Sequence, residues 1–223
     1  MSIIKYLFLV AWKPVEVYTP IITSENRKRK YCILIFSILI LLIFQAIVIE
    51  LTTPLSLKNT ITNFEYNQMN TLQYEKLVQT TKMYSQIFSP FMTIFALMAT
   101  SFLAQMIFNI FANKNISYFN TLLIVSIASI CDCWSYIIRL PFMIYFDTTR
   151  IYFGLMAFIN QENNLMCEML KQFDLLILWK FVIIGVGVSV YFSESKKKKY
   201  IMLSIIILLI YSLLVSLLRT STN

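Results

Sequence analysis

The chain has 223 residues, 58% hydrophobic and 13% charged, with a mean hydropathy of +0.70. Soluble domains average roughly 45–50% apolar and about 25% charged residues, and here the apolar residues gather in runs that no water-facing surface could absorb, which leaves no room for a separate soluble domain. The sequence has no His, which excludes imidazole bases, His–metal sites and His proton relays, and its formal net charge of +8 has to be accommodated somewhere.

Residues 1–30 read as a cytoplasmic, interfacial amphipathic segment. Its apolar stretch, Ile3 to Val10, is broken by Lys5 and is too short to cross a bilayer; no small-residue cleavage site follows it, so it does not read as a signal peptide. An interfacial helix fits better, and Pro14 is placed to begin a second short turn. Residues 31–218 then form the membrane domain. A span needs about 20 apolar residues to cross roughly 30 Å of hydrocarbon. Five stretches qualify: about 31–49, 87–111, 118–138, 173–192 and 200–218. Short polar turns at 112–117 and 193–199 alternate with longer mixed connections at 50–86 and 139–172. Residues 61–86 and 151–159 suit helices lying at the outer headgroups. The expected fold is an all-α integral membrane protein, a five-transmembrane-helix bundle with an N-terminal interfacial helix, N-terminus inside and C-terminus outside.

The Lys/Arg bias sets that orientation. With the N-terminus in the cytoplasm, eleven of the nineteen basic residues fall on the inner side, among them Arg27, Lys28, Arg29, Lys30, Lys196, Lys197, Lys198 and Lys199. Only Glu16, Glu25 and Glu194 oppose them, while seven basic and seven acidic residues balance outside. Such a face reads as a positive-inside signature that binds anionic lipid headgroups, at about 1 kcal/mol per basic residue, and not as a nucleic-acid site. Tyr31, Tyr118, Tyr191 and Tyr200 mark the same inner boundary.

Asp132 and Lys180 lie inside predicted spans, where each charge costs about 2.5–3.5 kcal/mol unless it is paired or wetted. Asp132 stands fourteen residues beyond Tyr118, about 21 Å from the inner edge; Lys180 stands seven residues below Phe173, about 10 Å from the outer edge. These depths coincide, which predicts an ion pair between adjacent antiparallel helices. A structural pair is the plainer reading, because one acid and one base do not make a relay across a membrane. Gly185, Gly187 and Ser189 in the fourth span offer small-residue packing, either within the chain or against a second copy. Cys131 and Cys133 flank Asp132 without the spacing of a zinc pair and read as packing residues. Pro90 and Pro141 fall at expected span ends. Nothing in the spans has the residues of an intramembrane hydrolase or a phosphate loop, so no catalytic residue, metal ligand or cofactor site is expected.

The chain resembles the prokaryotic members of the Yip-domain family, five-span relatives of eukaryotic Golgi proteins that interact with Rab GTPases. Trp12-Lys13-Pro14-Val15-Glu16-Val17 is similar to the family's opening before the first span, and Ser89-Pro90-Phe91 to the start of the second. Ile124–Ile130 with Leu140-Pro141 follows in and after the third. Phe173-Asp174-Leu175-Leu176-Ile177-Leu178-Trp179, then Ile184-Gly185-Val186-Gly187 and a lysine-rich turn, resemble its fourth span. Family members often carry Gly-Gly where this chain has Asn113-Lys114-Asn115. Rab partners belong to the eukaryotic branch and are not carried over; the leading expectation is a non-enzymatic membrane organiser or adaptor in a bacterial cytoplasmic membrane, with lipids and a membrane-protein partner or a second copy as its contacts. The alternative reading is a small transporter or channel subunit with a polar path near Asp132 and Lys180.

Overall fold

A computed structural model describes residues 9–60, 71–112, 115–149, 151–154, 165–194 and 197–221. Those residues are all-helical apart from turns and one isolated bridge, Gly154 to Asp174. In chain order the helices are α1 (Pro14–Ile22), α2 (Arg27–Thr60), α3 (Thr71–Ala112), α4 (Tyr118–Ala128), α5 (Ile130–Tyr145), α6 (Leu165–Gln172), α7 (Leu175–Tyr191) and α8 (Lys197–Ser221).

Among the described residues, four stretches are long and apolar enough to cross a membrane: Arg27–Lys58, Thr71–Ala112, Tyr118–Tyr145, which joins α4 to α5, and Lys197–Leu217. α7 is also apolar but has only 17 residues, about 25 Å at 1.5 Å each. The chain is therefore an integral membrane protein by length and composition.

Two helices run well past the spans read from the sequence. α2 continues through residues 50–60 and α3 begins at Thr71, where a separate surface helix was expected up to Gln86. Pro90, expected at a span end, lies inside α3. Cross-links between the two helices explain their persistence in polar sequence. Lys82 pairs with Glu50, Gln86 Nε2 donates to Glu50 Oε2 at 3.4 Å, Tyr74 Oη donates to the Pro54 carbonyl at 3.2 Å, and Thr93 bonds to Gln45. Pairing thus carries the helices where hydrophobicity alone would let them end. The third predicted span is two helices, broken at Ser129 and extended to Tyr145, with Pro141 inside α5.

α2 and α8 begin at the same end of the bundle, called here the basic end, because Arg27–Lys30 and Lys197–Lys199 form their first turns. Tyr31 packs on Phe119 at 4.6 Å between ring centroids, and Tyr200 on Phe192 at 5.5 Å, which fixes the level of that end. The core lies just beyond it, around Tyr18, Phe108, Ile124, Val188 and Tyr200, all fully buried.

The N-terminal segment differs from expectation. The expected interfacial helix at residues 3–10 falls largely outside the described residues. Pro14 does begin α1, but α1 does not merely lie on the surface. It buries Val17, Tyr18 and Ile21, and Tyr18 Oη donates to the Ile124 carbonyl at 3.0 Å. Burial and the neighbouring Cys131 push the Tyr18 phenol well above its ordinary pKa, so it stays a neutral donor.

Candidate functional site

Asp132 sits in the first turn of α5 and Lys180 near the start of α7, on antiparallel helices that face each other. Lys180 Nζ lies 2.7 Å from Asp132 Oδ2, with both side chains part-buried. Asp132 is fourteen residues from Tyr118, about 21 Å from the basic end.

A second ion pair joins the same two helices. Arg139 Nη2 lies 2.8 Å from Asp174 Oδ2, with Asp174 almost completely buried. Arg139 is seven residues beyond Asp132, and Asp174 six residues before Lys180, so the pairs are about 10 Å apart with their charges reversed. Asp174 is also the N-cap of α7: its Oδ1 accepts from the Leu176 amide at 2.9 Å and its Oδ2 from the Phe153 amide at 2.7 Å. The Phe153 carbonyl in turn accepts from the Leu175 amide at 3.0 Å. Gly154 allows this approach, because a Cβ there would lie 2.4 Å from the Phe173 carbonyl oxygen. The sequence counts both among the outer charges, Arg139 at the start of the connection 139–172 and Asp174 at the outer edge of the fourth span. The signal for them was the spacing, two turns on from each member of the first pair.

Two adjoining pockets surround the first pair, sharing Leu41, Thr93 and Asp132. One, about 210 Å³, is lined also by Gln45, Ser135, Tyr136 and Arg139. The other, about 180 Å³, is lined also by Thr100, Ser129, Lys180 and Tyr211. Among the described residues, Ser129 Oγ and Arg139 Nε are buried without a hydrogen-bond partner, as groups that bond to water would be. Counted from Tyr118, the lining residues from Ser129 to Arg139 span levels from about 16 to 31 Å above the basic end. Below them lies the packed core around Tyr18, Ile124 and Phe108.

The glycines of α7 are used inside the chain. A Cβ on Gly185 would lie 2.7 Å from Ile201 Cα and 2.8 Å from the Tyr200 carbonyl, so α8 packs backbone to backbone there. A Cβ on Gly187 would meet Ile124 at 2.7 Å and the Tyr18 ring at 2.9 Å. Ser189 is buried and donates to the Val186 carbonyl of its own helix at 2.7 Å. Trp179 Nε1 donates to the Ala11 carbonyl at 3.0 Å, which ties the N-terminal segment to α7. Cys131 and Cys133 are buried, free thiols. Of the basic clusters, Lys30 Nζ donates to the Ile22 carbonyl at 2.9 Å, Lys199 Nζ lies 5.8 Å from the Tyr200 ring centroid, and Lys196 lies outside the described residues.

The chain matches no protein-family model, and neither the curated proteins nor the solved structures contain a significant match to it.

Proposed function

We propose that this chain is a non-enzymatic, five-span membrane organiser of the Yip-domain type, with its N-terminus and basic end in the cytoplasm of a bacterium and α7 as the fourth crossing. It holds other membrane components through lateral contacts and holds anionic lipid at its basic face. The packed layer beneath the polar chamber carries this reading. Water and small solutes can occupy the Asp132–Lys180 level, and fully buried Tyr18, Ile124 and Phe108 lie between that level and the basic end. The basic clusters support it too. Cations in the first turn of a helix oppose its macrodipole, so Arg27–Lys30 and Lys197–Lys199 cost stability and need another reason to be there. Exposed amides and cations together suit phosphate groups. The resemblance in the fourth span adds weight, since Asp174, Trp179, Gly185 and Gly187 all serve packing or capping here.

Solubilisation in mild detergent followed by affinity capture should bring down the same membrane proteins repeatedly. Changing Arg27–Lys30 together to Gln should weaken retention on anionic vesicles. A chain that captures nothing specific, and whose vesicle binding ignores those changes, is not an organiser.

The chamber itself favours a second reading, a small transporter or channel subunit. Cysteines placed at Thr93 and Ser135 separate the two. An organiser admits a water-soluble thiol reagent from one side at most, whereas a transporter admits it from both in turn.

A further inference from the structure

Residues 11–22 run parallel to α7, since Ala11 pairs with Trp179 and Tyr18 lies against Gly187. Ile22 stands at the basic end, where its carbonyl accepts from Lys30. Counting from Ile22, Lys13 is about 13 Å and Glu16 about 9 Å above that level. Both point away from the bundle: their side chains are 57% and 66% exposed and form an ion pair at 3.0 Å. Trp12 beside them is 73% exposed. Hydrocarbon about 30 Å thick beginning at Lys30 would wrap this pair in lipid tails, which solvate neither ion. α7, alongside, is about 5 Å shorter than such a slab. A short crossing is matched by a locally thinner bilayer.

We propose that the cytoplasmic leaflet dips beside α1 and α7, bringing zwitterionic phospholipid headgroups to Lys13 and Glu16. The headgroup phosphate meets the Lys13 ammonium, and the headgroup ammonium meets the Glu16 carboxylate. An acid and a base side by side suit a zwitterion, unlike the clusters at Arg27–Lys30 and Lys197–Lys199, which suit net anions. This rests on the reading of α7 as a crossing with its basic end in the cytoplasm. It deepens the organiser role, because the protein then reshapes the lipid that it touches.

The test uses the full chain carrying C32A in vesicles of phosphatidylethanolamine and phosphatidylglycerol, with a nitroxide at V15C or, as control, at I35C. Ile35 is exposed on α2 five residues past Lys30, about 8 Å in and so shallower than Val15 at about 10 Å. A water-soluble nickel chelate should collide with the V15C label and not with the I35C label. The V15C label should also broaden the lipid phosphorus resonance more than the I35C label does. Adding K13L with E16L should abolish both effects. A V15C label reached by oxygen alone, or by neither reagent, overturns the proposal. So does nickel contact without phosphorus broadening, which would mark a water crevice, and so does contact that survives the double substitution. Nickel contact at I35C overturns it differently, by showing that hydrocarbon does not begin at Lys30, and that failure belongs to the spanning reading.

Discussion

Asp174 accepts from two backbone amides and forms an ion pair with the Arg139 guanidinium while only 1% exposed, so its loss would uncap α7 and strand a buried cation together. Asp174→Ala should cost about 3–5 kcal/mol, read as a lowered melting point in detergent. Asp132 and Lys180 are the wetter pair. Replacing either by Leu should destabilise more than replacing both, with a coupling of about 1–2 kcal/mol in a double-mutant cycle. If the double change is no milder than the two singles added, the 2.7 Å contact contributes nothing. Asp132 and Lys180 were legible because each interrupts an apolar run at a depth that residue counting fixes. Arg139 and Asp174 stand where such runs fade, and hydropathy cannot separate a buried pair there from two solvated charges. The reversed spacing pointed to both, and Asp174 also stands in the Phe173–Trp179 motif of the fourth span.

Among the helices, the apolar stretches of α2 and α3 were readable, but their polar continuations were not. The stretch 61–86 has only a moderate amphipathic period, and part of what its residues touch is polar: Lys82 and Gln86 meet Glu50, and Tyr74 meets a backbone carbonyl. A single-sequence pattern reports burial against apolar surface and misses pairing of this kind. Gln79 lies exposed within that continuation. Gln79→Pro should therefore cost about 3 kcal/mol and reduce helicity by circular dichroism, whereas a loop or a helix boundary there would tolerate it. The break at Ser129 was equally hidden, because Ile127-Ala128-Ser129-Ile130 is as apolar as its surroundings. The small residues of α7 were readable as packing, but which surface they met depended on α1 and α8, elements far away in sequence.

For the molecule as a whole, the side of the membrane follows from charge, and that is testable independently of any partner. Single cysteines at Ser193, in the link after α7, and at Gln79, on the far extension of α3, should react with an impermeant thiol reagent from opposite faces, Ser193 only from the cytoplasm. Labelling of both from one side would invert or collapse the threading. The membrane class was plain from composition, since no soluble core could hold so much apolar surface. The arrangement of the N-terminal segment was not, because Val10, Val17, Tyr18 and Ile21 look the same in sequence whether they meet headgroups or a protein groove.

That groove has a consequence for assembly. The bond from Trp179 to Ala11 joins residues 168 apart, and the bond from Tyr18 to Ile124 joins residues 106 apart. A ribosome adding about 5–20 residues per second produces Ala11 roughly ten to thirty seconds before its partner exists. The earliest of these segments to be made is thus among the last to find its seat, and α1 closes the bundle as a latch.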